Sequence, residues 1–198
     1  MAQSAVSIAN QALGLIGAQY ITSIEEATTN ARHVYVIYDD TKRMMLAAHQ
    51  WSFATKRATL PKSAASSDEW SYVYEIPRDF ISLVSFIGQK EPQRYRVEHA
   101  TIYCNVDNAK VKYVADVPEQ YFSPAFTQAF KYQLAGQLAN PVKNSREMEQ
   151  AYLQMASQML FQARMQDAEY SAGVDAATWW TDRPMSTHDD IVLWEENG

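Results

Sequence analysis

The stretch whose reading decides the fold is residues 28–53, TTNARHVYVIYDDTKRMMLAAHQWSF. Most of it reads as one long helix. Thr28, Thr29 and Asn30 offer side-chain oxygens to the free N–H groups of a first turn. Ala31, Val34, Tyr35, Tyr38, Met45 and His49 then recur at spacings of three, four or seven. That is an amphipathic stripe with one polar step at Thr41 and Lys42. Neither Gly nor Pro interrupts the run. About twenty helical residues reach about 30 Å, the width of a small domain. This helix is therefore expected to be the spine on which the other helices pack. Trp51 and Phe53 follow with the i, i+2 spacing of a strand, so the period changes there.

Upstream, residues 4–16 read as a first helix. Ser4 caps it, Ala5, Ile8, Ala12 and Leu13 or Leu15 form its apolar face, and Gly17 stops it. The link AQYITSIEEA carries Ile21 and Ile24 as anchors between two antiparallel helices. Downstream, residues 54–69 read as a loop on their small, polar composition. Trp70, Tyr72, Tyr74 and Ile76 then alternate with other residues, a strand with an aromatic face. Residues 80–87, 94–97 and 101–104 read as further extended runs, and Val111, Tyr113 and Ala115 alternate again. Residues 52–116 are thus expected to form a small antiparallel sheet between helical segments.

Helices return after Pro118. Ser123 followed by Pro124 is a cap with proline at the first helical position, where its missing N–H costs nothing. Phe126, Phe130, Leu134 and Leu138 make that helix's stripe, and Asn140 with Pro141 is expected to end it. Asn144 with Glu147 resembles a capping box for a last helix. Met148, Tyr152, Met155 and Met159 line one face of it, and Gly173 is read as its stop. The expected class is α+β, mainly α: an antiparallel helix bundle with a small antiparallel β insertion and an extended C-terminal arm. The expected divisions are residues 1–53, 54–117, 118–172 and 173–198.

Composition narrows the function. Hydrophobic residues make up 47% of the 198, enough for one good core. No apolar run approaches the ~20 residues of a membrane span, and the N-terminus lacks the positive region of a signal peptide. The single cysteine, Cys104, fits a reducing cytoplasm during synthesis. Net charge is −6, and it is unevenly placed. Residues 1–166 hold 16 of the 17 Lys and Arg and 15 of the 23 Asp and Glu, while residues 167–198 hold Arg183 against eight acids. A near-neutral body with an acidic tail argues against tight binding to a phosphate backbone. The tail carries Trp179, Trp180 and Trp194, which points to a segment that docks on a partner.

Catalytic spacings are absent from the sequence. It has no GxGxxG, P-loop, GxSxG or HExxH. Asp39 and Asp40 are neighbours on a helix and diverge by about 100°, so they read as a solvated face. His33 has no metal-ligand spacing, and His49 is expected to pack near Trp51. His188, Asp189 and Asp190 read as exposed acidic tail, and Cys104 as a buried apolar thiol. The methionines at 148, 155 and 159 read as a helix seam. Lys56 with Arg57 and Arg94 with Arg96 flank aromatics, the one feature that suits single-stranded nucleic acid. Solvated strand edges account for them equally.

The order of segments is distinctive. SIANQALGLIG and ITSIEE precede a helix ending MMLAAHQWSFATKRATL. YVYEIPRDF, VKYVADVPEQYFSPAFTQAF and LAGQLANPV follow. Over roughly residues 4–170 the chain resembles the tail tubular protein A family of short-tailed bacteriophages, the head-to-tail adaptors. The resemblance implies a structural virion protein of the neck and tail, made in the host cytoplasm, with no enzymatic activity, cofactor or metal. It implies a ring, commonly of twelve copies, between the portal protein and a tail nozzle of the tail tubular protein B type. Genome DNA would pass through it without specific binding, and a near-neutral or negative lumen would reduce drag. Within this frame Trp179, Trp180, Ile191, Leu193 and Trp194 are candidate portal anchors. Trp70, Tyr72 and Tyr74 are candidates for the subunit or nozzle interface. The alternative is a nucleic-acid-associated packaging or ejection protein.

Overall fold

The computed structural model describes residues 3–89 and 91–181, and of residues 171–181 the backbone only. The fold is α+β and mainly α. Helices α1 (Ala5–Leu15) and α2 (Thr29–Ala47) come first. Six strands follow: β1 (Thr55–Thr59), β2 (Tyr72–Glu75), β3 (Phe80–Phe86), β4 (Tyr95–Glu98), β5 (Thr101–Cys104) and β6 (Lys110–Ala115). Helices α3 (Pro124–Lys143) and α4 (Arg146–Thr181) close the order.

Each helix starts on a hydroxyl that satisfies an orphan N–H at the third helical position. Ser4 accepts from Ser7, Thr28 from Ala31, Ser123 from Phe126 and Ser145 from Met148, at 3.2–3.3 Å. The first three are the expected caps. The fourth differs: Ser145 caps α4, and Asn144 instead ends α3 in the left-handed region at φ 51°, donating its N–H to Asn140 O. Pro141 accordingly lies inside α3 rather than ending it. In the last turn a proline forfeits a single N–H bond, which the helix tolerates.

The spine is α3, not α2. Among the described helices it packs most extensively on the other three. Phe126, Ala129, Phe130, Leu134, Ala135, Gly136, Leu138 and Ala139 are buried around much of its circumference, as befits a helix with neighbours on several sides. Small residues let those neighbours come close. A Cβ on Gly136 would stand 2.8 Å from the Leu153 side chain of α4. The buried arc of α2 is Ala31, Val34, Tyr38, Thr41 and Met45 with Leu46. Thr41, the expected polar step, is buried because its hydroxyl donates to Gln137 of α3 at 2.6 Å. Tyr35, expected in the stripe, faces outward at 64% exposure.

Trp51 and Phe53 flank and enter a 3-10 turn, Ser52–Ala54, instead of a strand. Both rings pack on Phe126, at 5.0 and 5.1 Å between centroids. The strands form two three-stranded antiparallel sheets, ordered β1-β6-β3 and β2-β5-β4, where one sheet was expected. Strand β1 lies in the expected loop. Its sequence TKRAT has no apolar alternation because it is an edge strand, paired on one side only. Helices and both sheets share one continuous core. Tyr74, fully buried, ties them: its hydroxyl donates to Val106 O at 2.8 Å.

The α1–α2 link is held by side chains. Asn10 makes a two-way amide pair with the Ile21 backbone, both bonds 2.8 Å. The Glu26 carboxylate accepts from the Thr22 hydroxyl, the Thr28 hydroxyl and the Thr22 and Ser23 N–H groups. Those hydrogen bonds, the Thr22 hydroxyl's first, hold its pKa at about 2. The folded value lies below the unfolded one, so the clamp is fully present above about pH 4.5. It is lost as pH falls through about 2. Carboxyl NMR titration should place the Glu26 midpoint near 2. A midpoint near 4 would mean that the clamp is open in solution.

Helix α4 continues through Gly173 to Thr181, so residues 173–181, expected as extended arm, are helical. One glycine costs a helix only about 1 kcal/mol, and Ala172, Ala176 and Ala177 surround it. At 36 residues α4 is about 54 Å long, against about 30 Å for the 20 residues of α3. The two form a hairpin, so the C-terminal part of α4 runs past the start of α3. Asp167 is its last buried residue among those described, and Tyr170 is 78% exposed.

Candidate interaction surfaces

The polar clusters hold the fold together. Asp167 of α4 is 6% exposed. Its carboxylate accepts from the Ser52 N–H at 3.0 Å and the Ser52 hydroxyl at 2.6 Å, and His49 Nε2 lies 3.2 Å away. The residue types are those of a nucleophilic triad, but the wiring is not. Ser52 donates to the carboxylate instead of the imidazole, so nothing activates its oxygen. His49 rests edge-on against Trp51, centroids 4.8 Å apart, as expected. A second cluster joins α2 to the segment after β6. Lys42 meets Asp116 at 2.9 Å and Glu119 at 3.3 Å. Burial, with Glu119 beside it, pushes the Tyr38 phenol well above its usual range.

Cys104 is buried, and burial pushes its thiol pKa up, which makes it a poor nucleophile. Asp39 and Asp40 are both exposed. Among the described residues no three His, Cys, Asp or Glu converge on a metal position. Of the two basic clusters, Lys56 is tied to Asp79 at 2.6 Å and Arg96 to Glu98 at 2.7 Å. Burial alone would raise the Asp79 pKa, but its bonds to Lys56 and Tyr113 outweigh it and hold the group below the usual range.

The aromatic face of β2 is largely absorbed. Tyr74 is a core residue and presents no surface. Tyr72 is half-buried, with the Lys62 ammonium 4.8 Å above its ring, and Trp70 is half-buried. The alternation misleads because the link between β5 and β6 lies against it: the Tyr74 hydroxyl donates to Val106 O and accepts from the Ala109 N–H. Of the five expected portal anchors, Trp179 and Trp180 fall on the last turn of α4, without described side chains. Ile191, Leu193 and Trp194 lie outside the described residues, as do His188, Asp189 and Asp190.

The exposed apolar surface lies elsewhere. On α2, Tyr35 (64%), Val36 (70%) and Met44 (51%) point outward. Val36, Asp40 and Met44 border an open groove of about 550 Å³ whose far wall carries Gln137 of α3 and Glu149 of α4. On α4, Phe161 (64%), Met165 (53%) and Met155 (43%) are exposed, while Ala156 and Ala163 face the core. Met155 therefore leaves the expected seam. Across residues 150–166 the only charged residue is Arg164, and glutamines fill the outer face. Apolar residues between polar ones, with charge depleted, are the compositional mark of an interface. The sequence holds that signal as Phe161 and Met165 one turn apart, out of phase with Ala156 and Ala163.

Neither a scan of protein-family models nor a search of curated proteins found a match to the chain.

Proposed function

We propose that this chain is a structural subunit of a bacteriophage neck, a head-to-tail adaptor that assembles as a ring between portal and tail nozzle. The observation that carries the reading is the pair of exposed apolar stripes, Val36 and Met44 on α2 and Phe161 and Met165 on α4. Copies that close a ring meet head to tail through two different patches on each subunit. One apolar stripe on each of two helices is what such a contact requires. The segment resemblance supplies the class of assembly, with twelve copies the common number. In this reading the four helices are the adaptor's bundle and residues 182–198 are its arm. Trp179, Trp180, Ile191, Leu193 and Trp194 are its portal anchors, and Trp70 and Tyr72 with the second sheet face a neighbour or the nozzle. The role is structural, with DNA passing through unbound. Lys56 and Arg96, tied to carboxylates, weigh against the nucleic-acid alternative.

The test is electron microscopy of the protein mixed with the portal ring encoded beside it. Symmetric extra density at one end of the portal is the expected result, and its symmetry gives the copy number. A portal left unchanged by a folded partner would sink the reading. The subunit contact has its own test. Phe161→Asp with Met165→Asp should leave the melting curve of the free chain in place. A charge at an apolar contact costs about 3 kcal/mol, so ring formation should weaken about a hundredfold. Rings formed as before would move the contact off this face.

A further inference from the structure

We propose that the outer face of the sheet β1-β6-β3 is a docking surface for the acidic segment 182–198 of the same chain. In the β1–β6 register Arg57 stands directly opposite Lys112, and Lys110 lies two residues along, opposite Thr59. Residues directly opposite share a face, so the three cations project together. Ser85 of β3, opposite Lys112 on the other side, adds no charge. Like charges placed directly opposite destabilise a sheet unless something neutralises them. Among the described residues no carboxylate forms an ion pair with Arg57, Lys110 or Lys112. The other face of the same sheet is treated differently. There Lys56, opposite Tyr113, has Asp79 at 2.6 Å.

The occupant is identified by charge and by where the chain leads. Residues 182–198 carry Asp182, Asp189, Asp190, Glu195 and Glu196 against Arg183 alone. Helix α4 leaves the core at Asp167, which is bonded to Ser52, and the turn Ser52–Ala54 runs directly into β1. His49, on the same carboxylate, borders a cleft with Ser82 and Leu83 of β3. The helix therefore departs beside this sheet. Its described part runs about 21 Å further, and the 17 residues that follow can span up to about 56 Å. Single exposed ion pairs are weak, but a tether of this length supplies a millimolar effective concentration. Three cations are few beside the phosphate contacts of a DNA-binding surface, so the tethered acidic segment is the better fit. The inference stands whether or not the adaptor reading does. Within that reading, the portal would compete with the sheet for the arm.

The test uses the full chain and a carbodiimide, which condenses a carboxylate with a touching lysine amine, followed by mass spectrometry. Isotope-labelled and unlabelled chains are mixed in equal amounts before reaction. The expected links join acids of residues 182–198 to Lys110 or Lys112 within one isotopic form. Arg57→Glu should reduce them about fivefold, the weight of one exposed pair lost and reversed. About 1 M salt should remove them, with the melting temperature of Arg57→Glu near that of the parent. Links concentrated on Lys131 or Lys143, links only between isotopic forms, or no links would each overturn the proposal. So would a short DNA duplex that binds the chain at about 0.15 M salt and loses that binding in Arg57→Glu, since the face would then belong to nucleic acid.

Discussion

Replacing Trp51 by alanine is expected to cost about 4 kcal/mol. For a chain of this size that lowers Tm by roughly 8–16 °C. Trp51 is fully buried, and its ring meets His49, Phe53 and Phe126 at 4.8–5.7 Å between centroids. Its indole N–H donates to Met45 O at 3.0 Å, closing the end of α2. The same residue precedes the turn that starts β1, and its own carbonyl accepts from the Thr55 hydroxyl at 2.7 Å. One side chain therefore fixes the angle between a helix end, the first strand and α3. Truncation removes the aromatic contacts and the shorter of two hydrogen bonds to the Met45 carbonyl, which keeps only the Ala48 N–H at 3.3 Å. Trp51→Phe keeps a ring and loses the N–H, so it should cost only about 1–2 kcal/mol. Thermal unfolding of both variants checks the order. An alanine variant as stable as the phenylalanine variant would mean that the cavity collapses and the ring contributes little.

Much of this architecture was legible because it is written locally. A hydroxyl before an apolar period needs no distant partner, and Ser4, Thr28 and Ser123 each cap the helix that their spacing announced. The extended runs around Tyr72, Thr101 and Val111 were legible for the same reason. What failed depended on neighbours. Strand β1 exists because β6 pairs with it, and TKRAT says nothing of that. The central role of α3 comes from alanines and Gly136, which are weak in any hydrophobic stripe but decide how closely helices approach. Tyr74 reads as surplus aromatic surface because the segment that meets its hydroxyl, Val106 to Ala109, is more than thirty residues away in sequence. Surfaces escape the sequence for the same cause. Period assigns an apolar residue to the core, yet Tyr35 and Met155 face outward. The same period does not pick out Phe161 and Met165.

Asp167→Ala is expected to have the second largest effect, and of a different kind. The carboxylate is nine-tenths buried and answers three donors: the Ser52 N–H, the Ser52 hydroxyl and His49 Nε2. Removing it takes the charged acceptor from donors that water reaches only in part, since Ser52 is exposed and the His49 side chain is 26% exposed. Hydrogen bonds to a charged group are worth about 1.5–3 kcal/mol each, so with water replacing some of them the total is about 3 kcal/mol. That lowers Tm by roughly 6–12 °C. The distinctive consequence is local. Asp167 is the last described residue of α4 to be buried, so it marks where the helix stops being held and begins to project. Without it the hold should retreat toward Ala163, and Arg164 should become a site of rapid tryptic cleavage under native conditions. Asp167→Asn keeps one acceptor for the Ser52 hydroxyl but turns an amide toward the remaining donors. It should fall between the parent and the alanine variant in both Tm and cleavage rate. A variant that melts earlier without faster cleavage at Arg164 would show that the cluster supports the whole core and does not set the point of departure. Faster cleavage with little change in Tm would show the reverse: that the last turns of α4 open on their own, and that the contact with Ser52 aims the projecting helix rather than stabilising the fold.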